Sequence, residues 1–233
     1  MSLRLLVLAG MILGLSSTMV SAAERPVVVE LFTSQGCSSC PPANAFLNEM
    51  TKNRPDVLPL AFHVTYWDSL GWKDPFSLQA ATSRQERYGH RFGDGSYTPE
   101  MVIDGGVGVV GSRRDEVNAA IDRAKREQQA AADIHVSKNG DNLTIEVGSG
   151  SGSGTVLLIG FDREHTTKIG RGENGGRTLP ETNVVRSIRP VADWSGKRIR
   201  ISERFPDGEE VAVVIEAPDG RIVGAARLAG RLT

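Results

Sequence analysis

Cysteine is nearly missing from this chain. Its 233 residues hold two, Cys37 and Cys40, so a multi-disulfide scaffold is excluded and a closed zinc site would need histidines to complete it. His63, His90, His135 and His165 show no paired spacing that would do so. Net charge is missing too: 27 basic side chains stand against 28 acidic ones, scattered, without the electrostatic footprint of a nucleic-acid or anionic-membrane binder. After Leu15 there is no further apolar run long enough to span a bilayer. These absences leave small-molecule or protein partners and point away from nucleic acid.

What is present begins with a stretch of export-signal form. Arg4 supplies a positive charge, Leu5 to Leu15 an apolar segment, and Val20-Ser21-Ala22 or Ser21-Ala22-Ala23 a small-residue cleavage site. Residues 1–23 are expected to be a signal peptide. Its removal leaves a periplasmic or secreted protein with no stable membrane insertion. About 210 residues then remain, enough for two compact units.

The two cysteines form Cys37-Ser38-Ser39-Cys40, placed where the apolar run Val27-Val28-Val29-Glu30-Leu31-Phe32 gives way to a helix start at Pro41-Pro42. A first sulfur at a strand-to-helix turn lies beside unpaired helix N–H groups, which favour thiolate over thiol. Outside the cytosol a plain structural disulfide also persists. So small a ring would stabilise the fold by only about 2 kcal/mol, against about 3 to 5 kcal/mol for long loops. A redox-active pair, a structural disulfide and a metal site all remain open, and the placement of the pair points to the first.

Ala43, Phe46, Leu47 and Met50 recur on one helical face, and a strand follows at Val57 to Val64, so the segment reads as a βαβ unit with parallel pairing. Asp74-Pro75 opens a second helix running to about Tyr88. Thr98-Pro99 precedes a short hairpin, and Ser112 with Asp115 resembles a capping box before a third helix that ends near Ala132. Beyond it the period changes to two, with a turn at Asn139-Gly140 and strands expected at Thr155 to Phe161, Val184 to Val191, Arg198 to Ser202, Val211 to Glu216 and Ile222 to Leu228. Short strands between turn signals imply a β-sandwich, with Gly148 to Gly154 as a hairpin loop inside it. The boundary is expected at residues 130–133.

The order strand, Cys37-Ser38-Ser39-Cys40-Pro41, helix, strand, helix, Thr98-Pro99, hairpin, helix resembles the thioredoxin superfamily. The wider string, Val29 to Gly36, Tyr66-Trp67-Asp68-Ser69-Leu70-Gly71-Trp72 and Arg171-Gly172-Glu173-Asn174-Gly175-Gly176, is similar to a family of exported bacterial thioredoxin-like proteins that carries a domain-of-unknown-function label. The resemblance implies an α/β thioredoxin-like domain at 24–132, followed by a mostly antiparallel β-sandwich domain at 133–233. It further implies Cys37 as the more exposed nucleophile, Cys40 as the resolving thiol, and Pro99 as a cis-proline facing the pair, with Thr98 offering backbone groups to a substrate. Glu30 matches the buried acid that assists proton transfer at the second cysteine, with one residue more than the usual spacing; a salt bridge is its other reading.

Ser38 and Ser39 offer hydroxyls and N–H groups to a bound chain, and Trp67 a wall beside it. The stretch Gly170 to Arg177 reads as an anion nest of backbone N–H groups or as a long loop that restricts the substrate if it folds over the cysteines. The expected function is thiol–disulfide exchange on protein disulfides, needing a protein substrate and a redox partner but no dissociable cofactor and no metal. A non-catalytic binding or assembly module, or Cu(I) binding by the two thiolates with His63 or Met101, are the alternatives.

Overall fold

The computed structural model describes residues 25–128 and 131–228. The expected signal peptide lies outside them. In chain order the elements are β1 (Val27–Thr33), α1 (Pro41–Asn53), β2 (Val57–His63), α2 (Gln79–Phe92), β3 (Glu100–Ile103), β4 (Val107–Val110) and α3 (Arg114–Glu127). Then follow β5 (Ile134–Asn139), β6 (Asn142–Val147), β7 (Gly154–Lys168), β8 (Thr178–Trp194), β9 (Ile199–Arg204), β10 (Glu210–Glu216) and β11 (Ile222–Arg227).

The expected thioredoxin-like α/β domain followed by a separate β-sandwich is not what the chain builds. The described residues are mostly strand with three helices, and strands from both halves share one mixed eight-stranded sheet, ordered β11-β10-β7-β8-β2-β1-β3-β4. The seam is the parallel pairing of β2 with β8 at Ala61 and Val184. A smaller sheet, β5-β6-β9, packs Leu143, Ile145 and Val147 against Val156, Leu158, Val211 and Val213 of the large one. Gly148 to Gly154 therefore links two sheets and is not a hairpin loop.

β1 is central, parallel to β2 and antiparallel to β3, and all seven of its residues are buried. Strand alternation divides them between two cores. Val27, Val29 and Leu31 meet α1 and α3, whereas Val28 and Phe32 meet α2 and the strands β7 and β10. Covering on both faces accounts for a run without polar alternation, interrupted only by Glu30.

β7 and β8 run well past the apolar spans expected for them. Their polar ends pair from Asp162 with Val184 to Lys168 with Thr178 and form an arm. It rests on α1: Thr182 Oγ1 donates to Asn48 Oδ1 at 2.9 Å and Asn48 Nδ2 to the Pro180 carbonyl at 2.9 Å. At the tip of the arm is the Gly-rich stretch 170–177, which is thereby carried to the cysteines.

Candidate functional site

Cys37 and Cys40 form a disulfide between the end of β1 and the start of α1. Both cysteines are 0% exposed, while Ser38 and Ser39 between them face solvent. This corrects the expectation of an exposed first sulfur. The helix start also offers fewer donors than anticipated. Pro41 and Pro42 have no N–H, and the Ala43 and Asn44 N–H groups bond the Cys40 carbonyl at 3.0 and 3.1 Å. Hydroxyls meet the sulfur instead. Thr98 Oγ1 lies 3.3 Å from Cys37 Sγ as donor, and Ser39 Oγ lies 3.3 Å from the same atom.

The Thr98–Pro99 peptide is cis. Thr98 also accepts a hydrogen bond on Oγ1 from Trp67 Nε1 at 2.9 Å, so the indole fixes the hydroxyl and the hydroxyl proton is directed to sulfur. Trp67 belongs to the insert between β2 and α2 and closes tightly on the motif loop: a Cβ at Gly36 would come within 3.3 Å of the Trp67 Cβ. The next strand residue, Glu100, is buried, with Oε2 accepting from Gln85 Nε2 at 2.8 Å and Oε1 unpartnered. Burial pushes its carboxyl up to about 7.

A buried polar cluster underlies the motif loop on the α1 face of the sheet. His63 Nδ1 is 2.7 Å from Asp74 Oδ2, and His63 Nε2 is 3.7 Å from Glu181 Oε1. Gln35, two residues before Cys37, joins both acids: its N–H donates to Asp74 Oδ2 at 2.8 Å and its Nε2 to Glu181 Oε2 at 2.7 Å. Its Oε1 accepts from Trp72 Nε1 at 3.1 Å. Burial alone would pull the His63 imidazolium down, but Asp74 and Glu181 together outweigh it and raise it to about 9. Burial likewise pushes Asp74 up, and His63 with the N–H donors of Gln35 and Phe76 reverses the sign and holds it below its ordinary value. Glu181 is raised, burial outweighing His63 and Gln35.

The stretch 170–177 closes the site from above. Asn174, 1% exposed, donates both Nδ2 hydrogens, to the carbonyls of Gln35 and Cys37 at 2.9 Å each, and its Oδ1 accepts from Arg177 Nη1 at 3.2 Å. Glu173 Oε2 accepts from the Ser38 N–H at 3.2 Å. Gly172 has φ +80°, and a Cβ there would meet the Trp72 Cβ at 3.2 Å, so the loop needs glycine to pass the insert. The last three N–H groups of the stretch are not open to an anion. The N–H groups of Gly175, Gly176 and Arg177 are bonded to Gly172, Ile169 and Asn174 carbonyls.

Glu30 does not join this cluster. It shares its strand face with Val28 and Phe32, where Arg84 Nε donates to Oε1 at 2.6 Å, and Tyr88 OH and Arg84 Nη2 donate to Oε2 at 2.5 and 3.2 Å. Arg84 Nη1 also meets Glu216 Oε2 at 2.6 Å. The proton-shuttle assignment thus gives way to the salt bridge, buried in the sheet. Met101 packs in the core beneath α1 and α3, and His63 is engaged by Asp74. No group of three or more His, Cys, Asp or Glu among the described residues is arranged to hold a metal ion.

Sequence reasoning named Cys37, Cys40, Ser38, Ser39, Thr98, Pro99 and Trp67, which the fold brings together. It missed Gln35, Asp74, Asn174 and Glu181. The glycine-rich stretch signalled Asn174, and Gln35 lay in the family-like string Val29 to Gly36 without a role; Asp74 was read as a helix start, and Glu181 stood in a segment that gave no signal.

Comparison with solved structures finds a protein from Agrobacterium tumefaciens, determined by X-ray crystallography, at 32% identity and TM-score 0.79, covering 91% of this chain and 98% of that one. HBP35 of Porphyromonas gingivalis matches at 14% identity and TM-score 0.60 over 90% of this chain and 78% of that one, a likeness of fold alone. No curated protein matches. A family model described as protein of unknown function, DUF1223, matches residues 28–216, most of the chain, and the chain belongs to that family.

Proposed function

We propose that the protein is an exported thiol–disulfide oxidoreductase acting on protein disulfides through Cys37 and Cys40. The observation that carries this reading is the pair of hydroxyls, Thr98 Oγ1 and Ser39 Oγ, each 3.3 Å from Cys37 Sγ at a strand-to-helix turn. Ser39 Oγ donates to the Thr98 carbonyl at 3.4 Å. In the reduced protein the Thr98 hydroxyl can therefore donate to a Cys37 thiolate as it stands, and the Ser39 hydroxyl after turning from that carbonyl. Charge-assisted donors of this kind are what lower a thiol pKa. The arrangement around the pair resembles the active turn of the thioredoxin superfamily.

In the reducing direction the Cys37 thiolate attacks one sulfur of a substrate disulfide, forming a mixed disulfide and expelling the other sulfur as a thiolate. Cys40, deprotonated, then attacks Cys37 Sγ and releases the second substrate thiolate. Two electrons pass to the substrate and the Cys37–Cys40 disulfide is restored, to be reduced again by a partner dithiol. The oxidising direction is the reverse. No dissociable cofactor enters either one. Because both cysteines are buried, exchange requires the motif loop and the groups bonded to it, Asn174 among them, to open locally.

Burial favours one other reading, a binding or assembly module in which the disulfide is inert. Insulin reduction by the purified protein with a dithiol donor separates the two. Wild type should be active and Cys37→Ser inactive; a wild type with reducible cysteines that leaves insulin intact would sink the redox reading.

A further inference from the structure

Donors to a thiolate are scarce in this motif, and one of them is occupied by an acid. The Gly36 N–H bonds Ser34 Oγ, the Cys37 N–H the Ser34 carbonyl and the Cys40 N–H the Cys37 carbonyl. Ala43 and Asn44 are turned to the Cys40 carbonyl, and Pro41 and Pro42 have no N–H. No acidic side chain lies in the first turn of α1. Two backbone donors between the cysteines are left, on Ser38 and Ser39, and Glu173 holds the first through Oε2 at 3.2 Å.

A carboxylate on that N–H acts on the sulfur twice. It removes a donor that could turn toward a Cys37 thiolate, and it sets a negative charge on the peptide N–H that directly follows the cysteine whose sulfur becomes negative on reduction. The loop brings two countercharges, Arg171 and Arg177; the Arg177 guanidinium is directed to Asn174 Oδ1, and Arg171 forms no ion pair with Glu173. His63, Asp74 and Glu181, the charged groups below the loop, act through Gln35 and stay in place whatever residue 173 is.

We propose that Glu173 tunes the redox poise of the pair, disfavouring the Cys37 thiolate and so making the couple more reducing. This rests on the exchange reading above. The reaction that measures it is Cys37–Cys40 disulfide plus two glutathione giving the dithiol plus glutathione disulfide, with two electrons transferred; a proton passes to solvent to the extent that Cys37 is ionised. Stabilising the reduced form is what makes a member of this chemistry a stronger oxidant. Taking the charge from Glu173 should therefore move the pair in that direction.

The experiment is a glutathione redox titration of the full chain as wild type, Glu173→Gln and Asn174→Ala, with the pH profile of Cys37 alkylation in the reduced proteins. Glu173 is exposed, so the isosteric change leaves the core intact. Glu173→Gln should raise the equilibrium constant for reduction about three- to tenfold, about 15 to 30 mV for a two-electron couple. It should also shift the alkylation profile to lower pH, and both effects should shrink in high salt, because an exposed charge is screened. Asn174→Ala, which loosens the stretch that carries Glu173, should raise the alkylation rate at every pH and move the midpoint in the same direction as Glu173→Gln and no further. Equal potentials and equal pH midpoints for wild type and Glu173→Gln would overturn the proposal while the exchange reading stands. A wild type that never equilibrates with glutathione would overturn both.

Discussion

The buried charge clusters around Arg84 and around His63 lie on opposite faces of one sheet, and they differ in how completely they are satisfied. Arg84, 1% exposed, spends Nε, Nη1 and Nη2 on Glu30, Glu216 and Tyr88, and both Glu30 oxygens are bonded. It ties α2 to β1 and β10, with no group turned toward the disulfide. The His63 cluster is coupled to the motif loop through Gln35 and leaves His63 Nε2 without a hydrogen-bond partner. A buried acid in an apolar strand is therefore a weak marker of a site. An unsatisfied buried group linked through Asp74 and Glu181 to Gln35, two residues before the first cysteine, is a stronger one.

The largest expected effect breaks the first cluster. Glu30→Gln or Arg84→Met should each cost about 3 to 5 kcal/mol in denaturant unfolding, because each leaves a buried charge uncompensated. Glu30→Met combined with Arg84→Met should recover much of that loss, and the disulfide's potential, where the single variants still fold, should stay at the wild-type value. A shift in potential with no loss of stability would exchange the roles of the two clusters.

The second cluster should reveal itself through pH. His63 has its imidazolium raised above the ordinary 6.5 to about 9, so its contribution is fully present below the unfolded value and is lost as pH rises toward 9. Between pH 7 and 9 the native state should lose about 2 to 3 kcal/mol. Glu100, pushed up to about 7, acts with the same sign mainly at lower pH; half titrated at pH 7, it adds only about 0.4 kcal/mol to the loss above that pH. His63→Asn should flatten the curve in that window. A wild-type stability that is constant from pH 7 to 9 would contradict the assignment.

The smallest effect sharpens how the cover relates to the cluster below it. Asn174→Ala removes two hydrogen bonds from the motif loop, each worth about 0.5 to 1.5 kcal/mol. Iodoacetamide should then modify reduced Cys37 about tenfold faster, and global stability should fall by about 1 to 3 kcal/mol. An unaltered rate would mean that Asn174 does not hold the loop closed.

Much of the secondary structure was legible because apolar periodicity reports local burial. α1 begins at Pro41 as expected, and β10 and β11 fall within a residue or so of their expected spans. Some local signals misled. Ser112 does not cap α3, whose N-cap is Arg113, and α2 starts at Gln79, after Asp74 has turned inward to His63. The continuous sheet was illegible for a different reason. The polar residues of Asp162–Lys168 and Thr178–Asn183 look like loop, yet they pair with each other in an arm that an alternation pattern cannot distinguish from solvent-facing turn.

The site divides in the same way. Its first half, Cys37 to Cys40 with Thr98, Pro99 and Trp67, announced itself through motif and spacing. The second half, Glu173, Asn174 and Glu181, arrives from more than 130 positions away on that arm, and pairing at such separation leaves no periodic trace. Glu30 was misplaced because strand alternation gives two faces without saying which one carries the helix of the cysteines. Arg84, which decides the matter, reads as a surface residue of an amphipathic helix.

The central claim is that the Cys37–Cys40 disulfide opens and closes in exchange with other thiols. Equilibrium titration of the wild type against glutathione and dithiothreitol buffers tests it most directly. A single reversible two-electron transition between about −270 and about −120 mV is the predicted result. A disulfide that stays closed down to potentials below about −300 mV, the range of structural bridges, would contradict it.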